Sequence, residues 1–372
     1  MGDYMTLSKF KYNKYIILVM IMAIISILSI KSASILLNYK YNLMYKQISW
    51  YIIGFIITFI VYKVGNNKIY KNIWILYIIG NILLLLLLLL ANPVNNSKCW
   101  FDLKIFTIQP SEFMKIILII LISIMTNKFN NNYTKHNLKN EFIFIIKILL
   151  ILLIPSILTF LEPDTGAVII YFIIAFTILF ISGIRYRWFI LLGILISLSI
   201  IGLIILYKFN NDLFINIFGT SLFMRIDRLL DWSIKDGYQL NNSIAAIGSA
   251  GLLGSGFNHT PIYFPEADTD FIFAVFSSNK GFIGSMILII VITIFDIMLI
   301  KLALKTKSTL SKYIIAGITG MLIYGQFQNI GMTYGIIPIT GITLPFISYG
   351  GSSLISYMII LGIIINIEKK CT

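Results

Sequence analysis

Long apolar runs dominate this chain and limit what it can fold into. A bilayer core of about 30 Å needs roughly 20 apolar residues per helix, and ten runs approach this length. The pattern predicts an all-α polytopic membrane protein with about ten transmembrane helices. We place the runs at residues 14–37, 48–64, 72–92, 111–127, 141–161, 167–184, 187–207, 270–300, 312–332 and 348–367.

The overall composition agrees with a membrane protein and excludes an ordinary soluble domain. Hydrophobic residues make up 58% of the chain, charged residues only 12%, and the mean hydropathy is +0.91. Soluble domains average about 25% charged residues. The first apolar run follows several lysines and has no Ala-x-Ala-like cleavage site, so we interpret it as a retained anchor. We expect residues 1–372 to form a single integral membrane domain.

The distribution of basic residues predicts the orientation. If the N-terminus is cytoplasmic, Lys and Arg concentrate in the inner loops, as the positive-inside rule requires. We therefore expect a multi-pass cell-membrane protein with both termini in the cytoplasm. The net charge of +14 is divided among short loops and forms no single patch, so no nucleic-acid partner is predicted. Cys99 and Cys371 are too few and too distant to suggest a disulfide framework or a zinc site.

Residues 208–269 form the only sizeable polar island, and we expect a large extracytoplasmic loop there, between helices 7 and 8. The island is rich in acidic residues and leads into Asp270, which stands at the mouth of the next apolar run. A carboxylate in low-dielectric surroundings is costly, because burial penalises its charged form. Asp270 is therefore the first candidate for chemistry.

Two further polar motifs have ordinary structural explanations. In Gln109-Pro110-Ser111-Glu112, Ser111 can cap a helix and Glu112 can complement its dipole. The segment 162–166 can be a simple turn between two helices. Glycines between 248 and 256 can permit close backbone packing. Taken singly, none of these motifs requires a function.

Together and in order, the motifs resemble a known family over nearly the whole chain. The matching segments are Gln109-Pro110-Ser111-Glu112 with Lys115, Gly237-Tyr238-Gln239, Pro265-Glu266 with Thr269-Asp270-Phe271, Pro338-Ile339-Thr340-Gly341, and Leu344-Pro345-Phe346-Ile347-Ser348-Tyr349-Gly350-Gly351. The chain resembles the SEDS family, the FtsW/RodA/SpoVE group of peptidoglycan glycosyltransferases.

The resemblance implies an enzyme that polymerises lipid II into β-1,4 glycan strands at the outer face of the cytoplasmic membrane, for cell elongation or division. The family's required Asp falls on Asp270. Inversion at the anomeric carbon of an undecaprenyl-diphosphate-linked donor needs one general base, which Asp270 would supply. The family also implies membrane lipids and a class B penicillin-binding protein, a transpeptidase, as partners.

The departing diphosphate needs positive charge near it. Arg225 and Arg228 are the best candidates, with Lys115 and Lys280 behind them, although the arginines can equally contact lipid headgroups or nearby aspartates. The sequence requires no cofactor, and a divalent cation, Mg or Mn, is an open alternative. The other candidate substrate-binding residues are Trp100, Gln109, Glu112 and Ser348. Trp100 can also be an interfacial belt residue.

One departure from the family and one rival function are left open. Ser278 and Asn279 stand where most members carry a pair of glutamates, close enough along the chain to influence Asp270. The rival is a flippase or transporter of lipid-linked precursors, which would also use many helices and polar groups at mid-membrane. Against it, Lys147 and Asp296 lie near enough to the cytoplasmic ends of their helices to snorkel. A scaffold without catalytic activity is a third possibility.

Overall fold

The computed structural model of the protein describes residues 14–39, 43–91, 98–102, 106–132, 137–230 and 237–371. Helices form nearly all the regular structure in these ranges, with one two-stranded antiparallel hairpin. The elements are α1 (Lys14–Leu36), α2 (Leu43–Val64), α3 (Asn66–Lys71), α4 (Ile73–Leu90), β1 (Phe101–Asp102), β2 (Thr107–Ile108), α5 (Pro110–Asn132), α6 (Leu138–Leu161), α7 (Thr165–Ile181), α8 (Tyr186–Phe209), α9 (Asn211–Leu230), α10 (Gly237–Gly248), α11 (Ile272–Lys305), α12 (Thr309–Thr333) and α13 (Gly351–Lys369).

The all-helical membrane architecture is confirmed, and each predicted apolar run contains a helix. Within the described residues, 7 helices are long and apolar enough to cross a membrane by length and composition. The other three predicted spans, α5, α7 and α12, pack against one another in the interior of the bundle. The number of membrane crossings stays a prediction.

The predicted span 270–300 contains a break. α11 is interrupted at Gly281, whose φ is 65°, so residues 272–280 form a short helix of their own. A Cβ on Gly281 would lie 2.4 Å from the Gly254 backbone nitrogen, and a Cβ on Gly254 would lie 2.4 Å from Asn279 backbone atoms. Only glycines allow this approach. Asp270 therefore precedes a short buried helix and not a membrane helix directly.

The polar island 208–269, expected to be one large loop, contains α9 and α10. α10 packs against α11 and holds the segment that leads to Asp270. Gln239 Nε2 donates to the Pro265 backbone oxygen at 3.1 Å, and Asn242 Nδ2 donates to that of Tyr263 at 2.7 Å. The extracytoplasmic position of this region stays a prediction.

Asp296 does not snorkel as expected. Its side chain is buried in the bundle, and Gln326 Nε2 of the neighbouring helix donates to Asp296 Oδ1 at 3.3 Å. A buried polar group needs such a partner because it has lost its water. Lys147, by contrast, is exposed on α6.

Candidate active site

One large cavity collects the polar motifs at one end of the bundle. Its volume is about 890 Å³. Residues from several distant segments line it: Trp100, Gln109, Glu112, Lys115, Asp164, Glu266, Asp270, Gly341, Tyr349, Ser352 and Tyr357 are among them. Motifs that are far apart in sequence therefore face a shared space, which we name the site cavity.

Asp270 reaches the site cavity from the chain just before α11. Its side chain is half-buried and lies against Gly341, since a Cβ on that residue would stand 3.7 Å from Asp270 Oδ2. Gly341 has a φ of 71°, a conformation that favours glycine. Asn329 Nδ2 donates to the backbone oxygens of Asp270 and Ile342, each at 2.9 Å. This amide fixes the carboxyl-bearing segment against the 338–342 loop.

The surroundings raise the pKa of Asp270 to about 7. Burial is the largest cause, because it penalises the charged carboxylate. The nearby carboxylates of Glu266 and Asp268 add to the shift in the same direction. A carboxyl with such a pKa can accept a proton near neutral pH and hold it.

The loop before α13 anchors the backbone beside Asp270. Ser348 Oγ donates to the Thr269 backbone oxygen at 2.6 Å and accepts a bond from Leu344 N at 2.8 Å. The Tyr349 N–H donates to the Asp268 backbone oxygen at 2.9 Å. Ser348 is buried and does not line the site cavity. Its hydroxyl thus positions the Asp270 segment, although the sequence had suggested direct contact with substrate.

Asp164 joins two motifs that the sequence treated separately. Gln109 Nε2 and Ser111 Oγ both donate to Asp164 Oδ2 at 2.8 Å. Its other oxygen, Oδ1, accepts from the Ala167 N–H at 3.0 Å and so caps α7. The Ser111 hydroxyl, expected to cap α5, donates to this carboxylate. The 162–166 segment is therefore both a turn and part of the cavity wall.

Glu112 and Lys115 form a buried ion pair in the cavity wall. Lys115 Nζ lies 2.6 Å from Glu112 Oε2, and both side chains are almost fully enclosed. Ser356 Oγ donates to the same carboxylate oxygen at 3.3 Å. Lys115 Nζ also lies 5.8 Å from the centre of the Tyr357 ring. Since each charge is compensated locally, neither stands as an isolated ion in the low-dielectric interior.

Of the remaining candidate substrate-binding residues, Trp100 lines the site cavity and Lys280 does not. Trp100 is half-buried and lines the site cavity next to the β1–β2 hairpin. Lys280 lies elsewhere, exposed, with its ammonium 5.7 Å from the centre of the Phe257 ring. Arg225 and Arg228 belong to α9, but their side chains lie outside the described residues.

Ser278 and Asn279 are not beside Asp270. Both are buried at the far end of the 272–280 helix, and neither lines the site cavity. Asn279 Oδ1 accepts a bond from Thr260 Oγ1 at 3.2 Å, and the Ser278 backbone oxygen accepts from Ser255. The 272–280 helix separates both positions from Asp270 by about two turns, and the effect of carboxylates there on Asp270 stays a prediction.

The sequence interpretation missed Asn329 and Asp164 as parts of the site. Amides inside an otherwise apolar helix, as in Gln326-Phe327-Gln328-Asn329, were a usable signal, because a buried amide needs partners. Within the described ranges, no group of three or more His, Cys, Asp or Glu side chains lies close enough to hold a metal ion.

The fold and cavity define a class: a multi-pass helical membrane protein with a titratable carboxyl in a large polar cavity. The FtsW/RodA/SpoVE family model, described as cell cycle protein, matches residues 12–372. The chain belongs to this family.

Relatives and solved structures agree with this assignment. The chain is 32% identical to the probable peptidoglycan glycosyltransferase FtsW of Wigglesworthia glossinidia brevipalpis, covering 96% of this chain and 93% of the relative. It is 30% identical to the stage V sporulation protein E of Bacillus subtilis, over 74% and 72% of the two chains. The rod shape determining protein RodA of Thermus thermophilus has the same fold, with a TM-score of 0.70, 22% identity and 96% of each chain covered.

A fourth similarity is to a chain from a structure described as structural coordination of polymerization and crosslinking by a peptidoglycan synthase complex. Its TM-score is 0.77 at 23% identity, covering 96% of this chain and 97% of that one. At 23% identity, this similarity shows that the two chains share a fold.

Proposed function

We propose that this protein is a peptidoglycan glycosyltransferase that polymerises lipid II into β-1,4 glycan strands at the outer face of the cytoplasmic membrane. The observation that carries the proposal is Asp270, a half-buried carboxyl with a pKa raised to about 7, in a cavity lined by the family's motifs. The name of the Wigglesworthia relative supports the same activity.

In the proposed reaction Asp270 accepts the proton of the acceptor hydroxyl. That oxygen attacks the anomeric carbon of the donor from the face opposite the diphosphate. The bond from that carbon to the diphosphate oxygen breaks, and undecaprenyl diphosphate leaves with the electron pair. A single displacement converts an α-linked donor into a β-linked product, so one general base suffices.

Arg225 and Arg228 are proposed to neutralise the leaving diphosphate. Lys115 is already paired with Glu112, and Lys280 lies away from the site cavity. Arginine's planar, permanently charged group suits diphosphate oxygens. Since the described residues offer no three-ligand metal cluster, we route no step through a divalent cation.

We propose that a class B penicillin-binding protein cross-links the strands that this chain makes. The support is the fold shared with a chain of a peptidoglycan synthase complex that couples polymerization and crosslinking. The proposal places both termini in the cytoplasm and the site cavity on the outer side, where lipid II is presented.

The test uses the purified full chain in vesicles with labelled lipid II, alone and with a class B penicillin-binding protein. We expect labelled glycan polymer. Movement of label across the bilayer without polymer would indicate a flippase, and neither result in the presence of the partner would indicate a scaffold. Either of these two results would overturn the proposal.

A further inference from the structure

A second, smaller recess lies between α1 and α11, apart from the site cavity. Its volume is about 240 Å³ and its wall is almost entirely apolar. Ile25, Leu28 and Ser32 line it from one face of α1, and Gly284 and Ile287 line it from α11. Leu28 and Ile287 are exposed to the surroundings, so the recess opens sideways from the bundle. We name it the α1–α11 groove.

Two lysine ammonium groups lie near the ring of Phe257, which lines the groove together with Lys280. Lys31 Nζ lies 5.3 Å and Lys280 Nζ 5.7 Å from the centre of the Phe257 ring. The two ammonium nitrogens therefore lie at most about 11 Å apart. Neither forms an ion pair with another described residue. Two neighbouring cations without a carboxylate attract an anion.

The loop that carries Phe257 is fixed to both helices of the groove. Asn258 N donates to Ser32 Oγ at 3.3 Å, and Ser32 Oγ donates to Asn258 Oδ1 at 3.1 Å. These bonds tie the Phe257 loop to α1. The close approach of Gly254 and Gly281 ties the same loop to α11. The loop that carries Phe257 is thus held between the two helices, while the side chains of Phe257 and Lys280 are exposed.

The lysines also lie at the same end of the bundle as the site cavity. Ser26 Oγ of α1 donates to the Ile347 backbone oxygen at 2.6 Å, next to Ser348, which bonds Thr269. The part of α1 around Ser26 therefore stands beside the loop that anchors Asp270, and Lys31 follows little more than one turn later. An anion held by Lys31 and Lys280 would lie at this level of the membrane.

We propose that the α1–α11 groove binds one anionic phospholipid, with its phosphate between Lys31 and Lys280 and an acyl chain along Ile25, Leu28 and Ile287. The positive charge of the two lysines favours an anionic headgroup, and the apolar wall of the groove favours an acyl chain. The site is separate from the one proposed for lipid II.

The test measures lipid retention by native mass spectrometry on the purified full chain, offered equal phosphatidylglycerol and phosphatidylcholine. We expect one tightly retained phosphatidylglycerol. The pair Lys31→Gln with Lys280→Gln should reduce the preference about tenfold or more, because each lysine near anionic lipid contributes about fivefold. The matched control is Lys301→Gln with Lys305→Gln, both exposed near the other end of α11, and it should retain the preference.

A second pair of variants tests the chain-binding part. Ile287→Trp fills the groove and should reduce retention of both lipids, whereas Ile290→Trp, equally exposed on α11 but outside the groove, should not. Equal losses in the two lysine pairs, or unchanged retention in Ile287→Trp, would overturn the proposal. Because lipid retention is read without glycan synthesis, the result is independent of whether the protein polymerises lipid II.

Discussion

Burial and two neighbouring carboxylates all raise the pKa of Asp270. Burial penalises the charged form, and Glu266 and Asp268 repel it. Glu266 is exposed at the cavity and accepts a bond from Thr269 Oγ1 at 2.9 Å. Besides burial, the pKa of Asp270 therefore depends on two carboxylates of its own segment.

Removal of the Glu266 charge should shift the pH dependence of polymerisation. In Glu266→Gln the pKa of Asp270 falls, so the base is deprotonated at lower pH and the acidic limit moves down by several tenths of a pH unit. In the unchanged protein the rate should fall as pH drops through about 7. Rate against pH for both forms, with Glu368→Gln at the far end of α13 as control, measures the shift. An identical acidic limit in all three forms would rule out this electrostatic coupling.

Glu162 presents a second carboxyl in unusual surroundings. It is fully buried, and neither carboxyl oxygen has a hydrogen-bond partner among the described residues. Burial, with a smaller effect of the Asp164 charge, raises its pKa from 4.5 to about 9. The folded protein therefore holds this proton at neutral pH, whereas the unfolded chain releases it.

This difference makes folding take up a proton between pH 4.5 and about 9, so the free energy of unfolding falls as pH rises through that window. Glu162→Gln removes the dependence and should stabilise the protein by roughly 1–3 kcal/mol at pH 8. At pH 5 the gain should be small. Thermal unfolding of both forms at the two pH values checks this, and an equal difference at pH 5 and pH 8 would contradict it.

At the scale of helices, apolar runs predicted where the helices lie because a membrane-spanning helix needs a length of apolar sequence that few other structures need. The break at Gly281 was not predictable in the same way. A single glycine in an apolar run is compatible with a continuous helix, and the cause of the break is a close contact with Gly254, distant in sequence. The helices in the polar island were missed because polar composition resembles that of a loop.

In the site cavity, too, some features could be predicted from the sequence and others could not. The position of Asp270 at the site cavity could be predicted, because a carboxylate at the edge of an apolar run is energetically costly and therefore easy to notice. The hydrogen bonds of Gln109 and Ser111 to Asp164 could not be predicted, since they depend on how α5 and α7 pack. Ser348 was singled out as a substrate-binding residue, whereas the contact that the structure shows is the bond of its hydroxyl to the Thr269 backbone oxygen.

α12 holds the Asp270 segment through one amide, that of Asn329. Asn329→Leu removes both Nδ2 bonds, leaving the Asp270 and Ile342 oxygens without that donor, at about 1–3 kcal/mol for each buried group. We expect a lower thermal midpoint and a loss of polymerisation greater than the loss of folded protein. Thr319→Val is the control, because Thr319 bonds only within its own helix, to Ile315 O. Full activity in Asn329→Leu would show that this amide does not position Asp270.

At the scale of the whole molecule, the packing of α5, α7 and α12 in the interior brings the motif loops to one end. Segments from Trp100 to Tyr357 then enclose a single cavity of about 890 Å³. The helices outside this core present apolar side chains, such as those of Leu85 and Leu89, to the surroundings. The architecture thus separates a lipid-facing exterior from one polar working space.

Polymerisation of labelled lipid II by purified Asp270→Asn, with a class B penicillin-binding protein present, tests the central claim most directly. Asn keeps the size of the side chain but cannot accept the proton, so we predict a rate loss of about 10²-fold or more. Asp268→Asn is the matched control, since Asp268 is a buried carboxyl of the same segment that does not line the site cavity, and it should keep most of the activity. With both variants equally folded, near-normal glycan synthesis by Asp270→Asn would contradict the account.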